Sequence, residues 1–136
     1  ARCIYLSVQA TFNLLDQSAG AALEAAHGAG MVVIVKEALA NGRLTPRAPN
    51  SPGLELLQAE AAALGTTVDA LALAWVMSHE WVGVCLSGAS TVEQLRANAD
   101  ALRLTPLPAE LFARLGKALA MPCDEYWAAR RSLAWN

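Results

Sequence analysis

The sequence predicts an α/β fold in which parallel strands are joined by right-handed helical crossovers. Three runs are almost wholly apolar, which is typical of strands that are covered on both faces. Helical patterns separate these runs, so strands and helices alternate along the chain. Three parallel strands alone would leave long apolar edges unpaired. The pattern therefore fits a segment of a doubly wound sheet or of a (β/α)8 barrel better than a complete fold.

The elements follow one another in a regular order. The predicted strands are CIYLSVQATF (3–12), MVVIVKEAL (31–39) and WVGVCLSGA (81–89). Prolines and glycines in ANGRLTPRAPNSPG (40–53) predict a long loop after the second strand. Helices are predicted over 20–30, 54–65, 66–79, 90–102 and 106–120. Residues 125–136 are predicted to form an aromatic and basic tail that either closes over a ligand pocket or wraps the outside of the fold.

Composition limits the classes of partner. The 136 residues fit a single segment of ordinary domain size, and a net charge of −2 argues against a nucleic-acid or anionic membrane surface. No apolar run reaches the roughly 18 residues that a membrane span needs. Apolar residues make up 55% and charged residues 16%, against about 25% charged in typical domains. We therefore expect either a domain that is mostly interior or a surface that is buried against a partner that this sequence does not contain.

The cysteines indicate a reducing compartment. Cys3, Cys85 and Cys123 are odd in number, far apart and without C-x-x-C spacing, so a cytoplasmic location and no metal site are predicted. Cys85 lies on a predicted buried strand, which favours a small core residue over a nucleophile. The first residues show no basic region leading into a long apolar stretch, so no secretory signal is predicted, and the missing initiator Met suggests a processed, cut or incompletely described chain.

The stretch LSGASTVEQLRAN (86–98) carries an uncharged polar stripe. Ser90, Gln94 and Asn98 recur every four residues, so they share one side of a helix. Ser90 and Glu93 predict a capping box. The neighbouring side, predicted to face the core, comprises Val92, Leu95, Ala99 and Leu102. The first turn follows Gly88 at the carboxyl end of a strand and suits an anion. Two interpretations stay open here, a capped surface helix and a ligand-binding helix.

Several motifs resemble one family. The segment L-S-G-A-S-T-x-x-Q-L-x-x-N resembles the eighth strand and following helix of the aldo-keto reductases, which carry G-A-S-x-x-x-Q-x-x-x-N. VQATFNLLDQ is similar to their sixth strand, V-Q-x-x-Y-N-L-L, with Phe12 where Tyr is usual. VVIVKEALANGRLT resembles the seventh strand and its loop, usually aromatic-S-P-L-x-x-G-x-L-T, and DALALAWVMSH resembles A-L-A-W-V-L-x-x. The resemblance covers essentially the whole chain. It implies that residues 1–136 are the C-terminal portion of a (β/α)8 barrel, strands six to eight, with the N-terminal half absent.

The resemblance also implies a cofactor and its contacts. The family binds NADPH across the carboxyl ends of its strands and reduces aldehydes and ketones; NADPH is the expected cofactor and NADH stays open as an alternative. Gln9 would bind the nicotinamide carboxamide, Arg47 would lie over the phosphates, and Gln94 and Asn98 would hold the adenine. The positions that match the family's cofactor contacts are Gln9, Lys36, Glu37, Ala38, Leu39, Asn41, Gly42, Arg47, Gly88, Ser90, Gln94 and Asn98. Lys36 stands where many members place an aromatic ring.

The resemblance assigns no catalytic residue to this chain. The family's Asp, Tyr, Lys and His lie on the first half of the barrel, whereas this chain matches from about strand six. His27 and His79 are predicted to be structural, because both lie near helix C-termini. The expected partners are a carbonyl substrate and a missing half barrel, or another chain, that covers the open strand edges. The chain alone is expected to be inactive, and a non-catalytic nucleotide-binding or scaffold module is the alternative.

Overall fold

The computed structural model describes residues 4–48 and 53–133. Within these residues, β1 (Ser7–Thr11), β2 (Val32–Lys36) and β3 (Val84–Cys85) form one parallel sheet in the order β1-β2-β3. Gln9 lies opposite Ile34, which lies opposite Val84 on its other side. The predicted α/β fold with parallel strands is confirmed. Cys3, loop residues 49–52 and Trp135 of the predicted tail lie outside the described residues.

Helices connect and cover the strands. They are α1 (Gly20–Gly28), α2 (Leu54–Ala63), α3 (Val68–Met77), α4 (Val92–Ala99), α5 (Ala101–Leu104), α6 (Ala109–Leu119) and α7 (Cys123–Ser132). The predicted helix over 90–102 is divided at Asp100 into α4 and α5. The loop after β2 begins with a 3₁₀ turn, Ala40–Gly42, instead of irregular structure throughout.

All three strands are shorter than predicted, and the predicted tail differs in kind. The third strand has two residues in place of nine, and its hydrogen bonds to β2 end with Leu86 N–H donating to the Val35 carbonyl at 2.9 Å. The predicted tail forms α7. The helix dipole of α7 is complemented by acidic residues in the first turn and by Arg130 and Arg131 in the last turn. This order of charges is a helix signal that the prediction of a tail did not use.

Helix α3 forms the centre of the core. Eight of its ten residues are buried, because a helix that is apolar on every side needs neighbours all round. Trp75 stacks between Phe12 and Phe112, with ring centroids 5.6 and 5.5 Å away, and its indole N–H donates to the Phe112 carbonyl at 3.0 Å. In the described residues no single helix is long and apolar enough to cross a membrane; α2 and α3 together satisfy length and composition but meet at 93°.

His79 belongs to the same aromatic cluster. Its ring centroid lies 4.5 to 5.0 Å from those of Trp75, Phe112, Trp81 and Phe12. Nδ1 lies 3.1 Å from the carbonyl oxygens of Trp75 and Val76, which places the proton on Nδ1 as donor. Burial lowers the pKa of His79, although these carbonyls and the more distant charge of Glu24 act in the opposite direction. The predicted structural role of His79 agrees with this environment.

The lowered pKa of His79 makes stability depend on pH. The His79 imidazole binds a proton more readily in the unfolded protein than in the folded one, because its pKa is lowered on folding. Lowering the pH through the pKa of an ordinary histidine therefore stabilises the unfolded state relative to the folded state. We expect the free energy of unfolding to fall between about pH 7.5 and about pH 5.5, above the range where carboxylates titrate. His79→Gln should flatten this dependence, whereas His27→Gln, at an exposed position, should keep it. Urea denaturation at both pH values measures the difference, and equal slopes in the wild type and His79→Gln would contradict the assignment.

Many large apolar side chains are exposed in the described residues. The exposed large apolar residues are Ile4, Tyr5, Leu6, Val32, Leu64, Val84, Leu86, Val92, Leu95 and Leu102. The prediction that Val92, Leu95, Ala99 and Leu102 face the core of this chain is wrong: Val92 and Leu95 are each 58% exposed and Leu102 is 70% exposed. The buried residue of α4 is Asn98, from the predicted polar stripe. Periodicity located the apolar side correctly, but no described element packs against it.

Candidate functional site

An open cavity of about 890 Å³ lies where β2 and β3 lead into their loops. Its walls come from the loop after β2 and from the segment Leu86 to Asn98 after β3, with Asp69 of α3 and Leu133 at the end of α7. The volume is within the range of small-molecule pockets, about 300–1,000 Å³. The position is the carboxyl end of parallel strands, where α/β proteins bind their ligands.

The cavity brings together most of the residues singled out from the sequence. Those that line it are Lys36, Glu37, Ala38, Leu39, Asn41, Gly42, Arg47, Gly88, Ser90, Gln94 and Asn98. Gln9 is not among the lining residues, because it lies opposite Ile34 within the sheet, two positions before Lys36 at the carboxyl end of β2. Its contact with a nicotinamide stays a prediction.

The loop after β2 has an unusual backbone. Glu37, Ala40 and Asn41 have φ values of 54°, 50° and 55°, in the left-handed region that side chains other than glycine rarely occupy. Gly42, with φ 87°, is a glycine and adopts this region without steric cost. The Ala40 N–H donates to the Glu37 carbonyl at 2.8 Å, and the Thr45 hydroxyl donates to the Gly42 carbonyl at 2.8 Å. Such conformations persist where surrounding contacts hold them, and they are concentrated at functional sites.

A buried asparagine supports this loop from behind. Asn13 is fully buried, and its Nδ2 donates to the Glu37 carbonyl and to the Tyr126 hydroxyl, both at 3.0 Å. Its Oδ1 accepts the backbone N–H groups of Leu15 and Asp16, also at 3.0 Å. Asn13 therefore joins the end of β1, the loop after β2 and α7. The sequence analysis did not identify Asn13 or Tyr126 as residues that support the site. The local signal for Asn13 was the Asn-Leu-Leu-Asp run that follows a predicted strand, since Asn and Asp favour turns.

An ion pair connects the cavity wall with α7. Arg130 Nη2 lies 3.2 Å from Glu37 Oε1, and Arg130 Nε lies 3.4 Å from Oε2. The side chains of both residues are less than one-fifth exposed. Burial acts to raise the pKa of Glu37, but hydrogen bonds from Arg130 and Asn41 and the charges of Arg130 and Lys36 lower it below its ordinary value. Glu37 is therefore a carboxylate at neutral pH.

A cation and a phenol pack together beside this pair. The guanidinium carbon of Arg43 lies 4.4 Å from the ring centroid of Tyr126, within cation–π distance. Burial raises the pKa of Tyr126, although its contacts with Asn13 and Arg43 oppose the increase. Tyr126 is therefore a neutral packing and hydrogen-bonding residue. Sequence reasoning did not include Arg43, which also lines the cavity.

The other wall begins at the N-terminus of α4. Thr91 is the N-cap, and its hydroxyl accepts the Gln94 N–H at 3.2 Å, so the predicted Ser90–Glu93 capping box is wrong. Thr91 is the last residue with extended backbone, which places Ser90 one position too early to cap. Instead, the Ser90 N–H and hydroxyl donate to Gln94 Oε1 at 2.8 and 3.0 Å. These contacts orient the Gln94 amide at the cavity.

Asn98 presents an unpaired acceptor. The residue is 7% exposed, and its Nδ2 donates to the Ser87 carbonyl at 3.3 Å. Its Oδ1 is buried and has no hydrogen-bond partner among the described residues. Buried polar atoms without partners are uncommon because they cost free energy. Asn98 is also one of the residues that line the cavity.

The cavity suits the binding of an anion more than acid–base chemistry. Lys36, Arg43 and Arg47 line it together with two acidic side chains, Glu37 and Asp69. Among residues 4–48 and 53–133, no three His, Cys, Asp or Glu side chains are grouped to hold a metal ion. Burial raises the pKa of the Cys85 thiol to about 11, so it is protonated and a poor nucleophile.

Comparison with known families decides the assignment. The model of the Aldo/keto reductase family matches residues 2–120, which is most of the chain. The chain belongs to the aldo/keto reductase family. Its two cavity walls correspond to the motifs from which the resemblance was drawn, and members of this family are oxidoreductases.

Solved aldo-keto reductases share the fold. The holo form of aldo-keto reductase AKR11C1 from Bacillus halodurans has a TM-score of 0.72 and 25% identity over 92% of this chain and 47% of that chain. Its apo form has a TM-score of 0.68 and 26% identity over 85% of this chain and 44% of that chain. The thermostable aldo-keto reductase Tm1743, in complex with the inhibitor epalrestat, has a TM-score of 0.68 over 81% of this chain and 38% of that chain; at 22% identity it shows the fold alone.

The aldo/keto reductase chain described here is thus part of a TIM barrel. It spans less than half the length of each of these three structures. Because its family fold has eight strands and the described residues form three, two strand edges of the sheet are open. The exposed apolar side chains Val32 and Val84 lie on that same three-stranded sheet.

Proposed function

We propose that the cavity binds NADP(H) and that the chain is the cofactor-binding, C-terminal part of an aldehyde or ketone reductase. The observation that carries this proposal is the convergence of two motifs, from the loop after β2 and the start of α4, on one cavity. The proposal takes residues 1–136 as a single segment carrying strands six to eight. A cytoplasmic location is proposed on the cysteine pattern only.

The residues present fit the adenosine end of such a cofactor. Asn98 Oδ1 is a buried acceptor that an exocyclic amino group would satisfy, and the Gln94 amide lies one helical turn away. The free N–H groups at the start of α4 attract negative charge, and Arg47 lines the same cavity. These features favour NADPH over NADH, because the 2′-phosphate adds an anion that a cation can bind.

The nicotinamide end is assigned to the loop after β2. Lys36 and Glu37 would lie beside it, with Gln9 proposed as the carboxamide contact. When bound, the cofactor supplies the hydride that reduces a carbonyl. This chain's own residues bind and orient it, and the left-handed loop is held in place before the cofactor arrives. Such preorganisation reduces the entropy lost on binding.

Catalysis is proposed to need residues from outside this chain. We place no catalytic side chain here, and an acid of the tetrad type would be supplied by the first half of the barrel. The same half, or another chain, would cover the exposed apolar residues of β2, β3 and α4. The 136-residue chain alone is therefore expected to show no detectable carbonyl reduction.

A non-catalytic nucleotide-binding or scaffold module is the second candidate. It is favoured by the same cavity, whose described lining offers the anion-binding side chains Lys36, Arg43 and Arg47. Fold alone does not separate the two candidates. A complete barrel protein that binds NADPH but reduces no aldehyde or ketone would support the module, whereas turnover would support the reductase.

Asn98→Ala tests the cofactor site. We expect the Kd for NADPH of the complete barrel protein to rise about fivefold to tenfold, because the alanine removes the acceptor and its hydrogen bond. Gln94→Ala should also weaken binding, whereas Gln58→Ala, at an exposed position of α2, should leave the Kd unchanged. Titration followed by NADPH fluorescence measures all four proteins. No binding by the wild type, or equal affinity in Asn98→Ala, would contradict the proposal.

A further inference from the structure

We propose that Arg130 of α7 is a positioning residue for the cofactor: it neutralises Glu37 on the cavity wall and holds the loop after β2. The inference rests on the proposed function. It goes further in assigning a role to α7, which lies beyond residues 2–120 that the family model matches.

Glu37 presents an electrostatic problem for an anionic ligand. Its side chain lines the cavity, where an ionised carboxylate repels phosphate groups. The Glu37–Arg130 pair is shielded from solvent, with 19% and 17% of the side chains exposed, so dissolved salt screens it less than a surface pair. Arg130 makes two contacts with the carboxylate, through Nη2 and Nε. The pair therefore offsets the negative charge where the cofactor is expected to bind.

The same carboxylate fastens the left-handed loop. Glu37 Oε2 accepts a hydrogen bond from Asn41 Nδ2 at 2.9 Å, so one side chain joins two residues with positive φ. Arg130 then connects this carboxylate to α7. Arg130 does not line the cavity, whereas Glu37 does. A substitution at Arg130 would therefore change ligand binding through its effect on Glu37 and not by removing a direct contact with the ligand.

An independent contact sets the distance between the two elements. Asn13 Nδ2 donates both to the Glu37 carbonyl and to the Tyr126 hydroxyl, one helical turn before Arg130 on α7. The backbone of Glu37 and the position of α7 are therefore fixed by the same buried amide. Arg130 meets Glu37 because of this arrangement, which argues against a chance encounter of two surface charges.

The sequence pattern also points to a matched pair. At the position of Glu37 the resembled motif carries serine, in aromatic-S-P-L, so the carboxylate is a departure from it. A serine needs no counter-charge, whereas a partly buried carboxylate is stabilised by one. Arg130 supplies that charge from the segment after the family match. We infer that Glu37 and Arg130 act together.

Charge-matched variants of the complete barrel protein test this inference. Arg130→Gln should raise the Kd for NADPH about fivefold to tenfold at about 0.05 M salt, and the effect should shrink at about 0.5 M. Arg131→Gln removes the same charge from an exposed neighbour and should change the Kd less than about twofold. The double variant Glu37→Gln/Arg130→Gln should recover affinity, because the uncompensated carboxylate is gone.

A second measurement needs no cofactor. Amide hydrogen exchange at the hydrogen-bonded N–H groups of Ala40 and Gly42 should accelerate in Arg130→Gln and not in Arg131→Gln. If the Kd of Arg130→Gln for NADPH is within about twofold of the wild-type Kd, the inference about Arg130 is overturned and the proposed function is not affected. The inference is also overturned if the double variant binds NADPH as poorly as Arg130→Gln, because removing the Glu37 charge would not restore the affinity if the role of Arg130 were only structural. Failure of the wild type to bind NADPH would overturn the proposed function instead.

Discussion

Replacing Asn13 with alanine is expected to lower the free energy of unfolding by about 3–5 kcal/mol. The side chain makes four hydrogen bonds in a fully buried position, two as donor and two as acceptor. Alanine would leave the Leu15 and Asp16 N–H groups without their acceptor, at about 1–3 kcal/mol each, and would remove the hydrogen bonds to the Glu37 carbonyl and the Tyr126 hydroxyl. Urea denaturation, monitored by tryptophan fluorescence, measures the change.

Two controls separate the network from simple loss of volume. Tyr126→Phe removes one hydroxyl from the same network and should cost about 1 kcal/mol. Asn41→Ala removes an exposed amide that bonds only locally to Glu37 in the described contacts and places alanine at φ 55°, and should cost about 1–2 kcal/mol. A cost for Asn13→Ala no greater than that for Tyr126→Phe would show that Asn13 does not unite the three elements.

Trp75→Ala is expected to cost about 3–5 kcal/mol, the usual range when a large aromatic is removed from a core. The ring is 2% exposed, stacks with Phe12 and Phe112, and lies against Gly116, where an added Cβ would come within 3.1 Å of Trp75 Cζ2. Close packing on all sides prevents the neighbours from collapsing into the space. Thermal and urea unfolding give the free-energy difference.

Trp75→Phe provides the matched comparison. It keeps an aromatic ring between the same neighbours and loses the hydrogen bond to the Phe112 carbonyl. The expected cost is smaller, about 1–2 kcal/mol. Trp127→Ala, at a half-buried position on α7, should also cost less than Trp75→Ala. Equal losses for Trp75→Ala and Trp127→Ala would contradict the central place of α3 in the core.

The sequence predicted those features that depend on local pattern. The continuous apolar run of α3 indicated a buried helix, and α3 lies in the core. The apolar run of β2 indicated a strand covered on both faces, but within this chain Val33 and Val35 are buried and Val32 is exposed. Most of the residues that line the cavity belong to motifs that follow β2 and β3. They could be predicted because the carboxyl ends of parallel strands lie at the same edge of a sheet. Gln9 was the exception, because the register of β1 against β2 cannot be read from one strand.

Features that depend on distant contacts could not be predicted. Asn13 and Tyr126 are 113 positions apart, and no local pattern links them. Periodicity identified the apolar side of residues 90–102, yet Leu95 and Leu102 on that side are exposed. The period of a helix shows which side is apolar, but it does not show whether another element packs against that side. The cap at Thr91 in place of Ser90 depended on a one-residue difference in where the extended backbone ends.

The most direct test of the nucleotide site is a crystal structure of the complete barrel protein with NADPH. We expect the adenine amino group to lie within hydrogen-bond distance of Asn98 Oδ1 and the phosphates to lie between the loop after β2 and the start of α4. A cofactor bound elsewhere, with the cavity between Lys36 and Gln94 filled only by water, would contradict it.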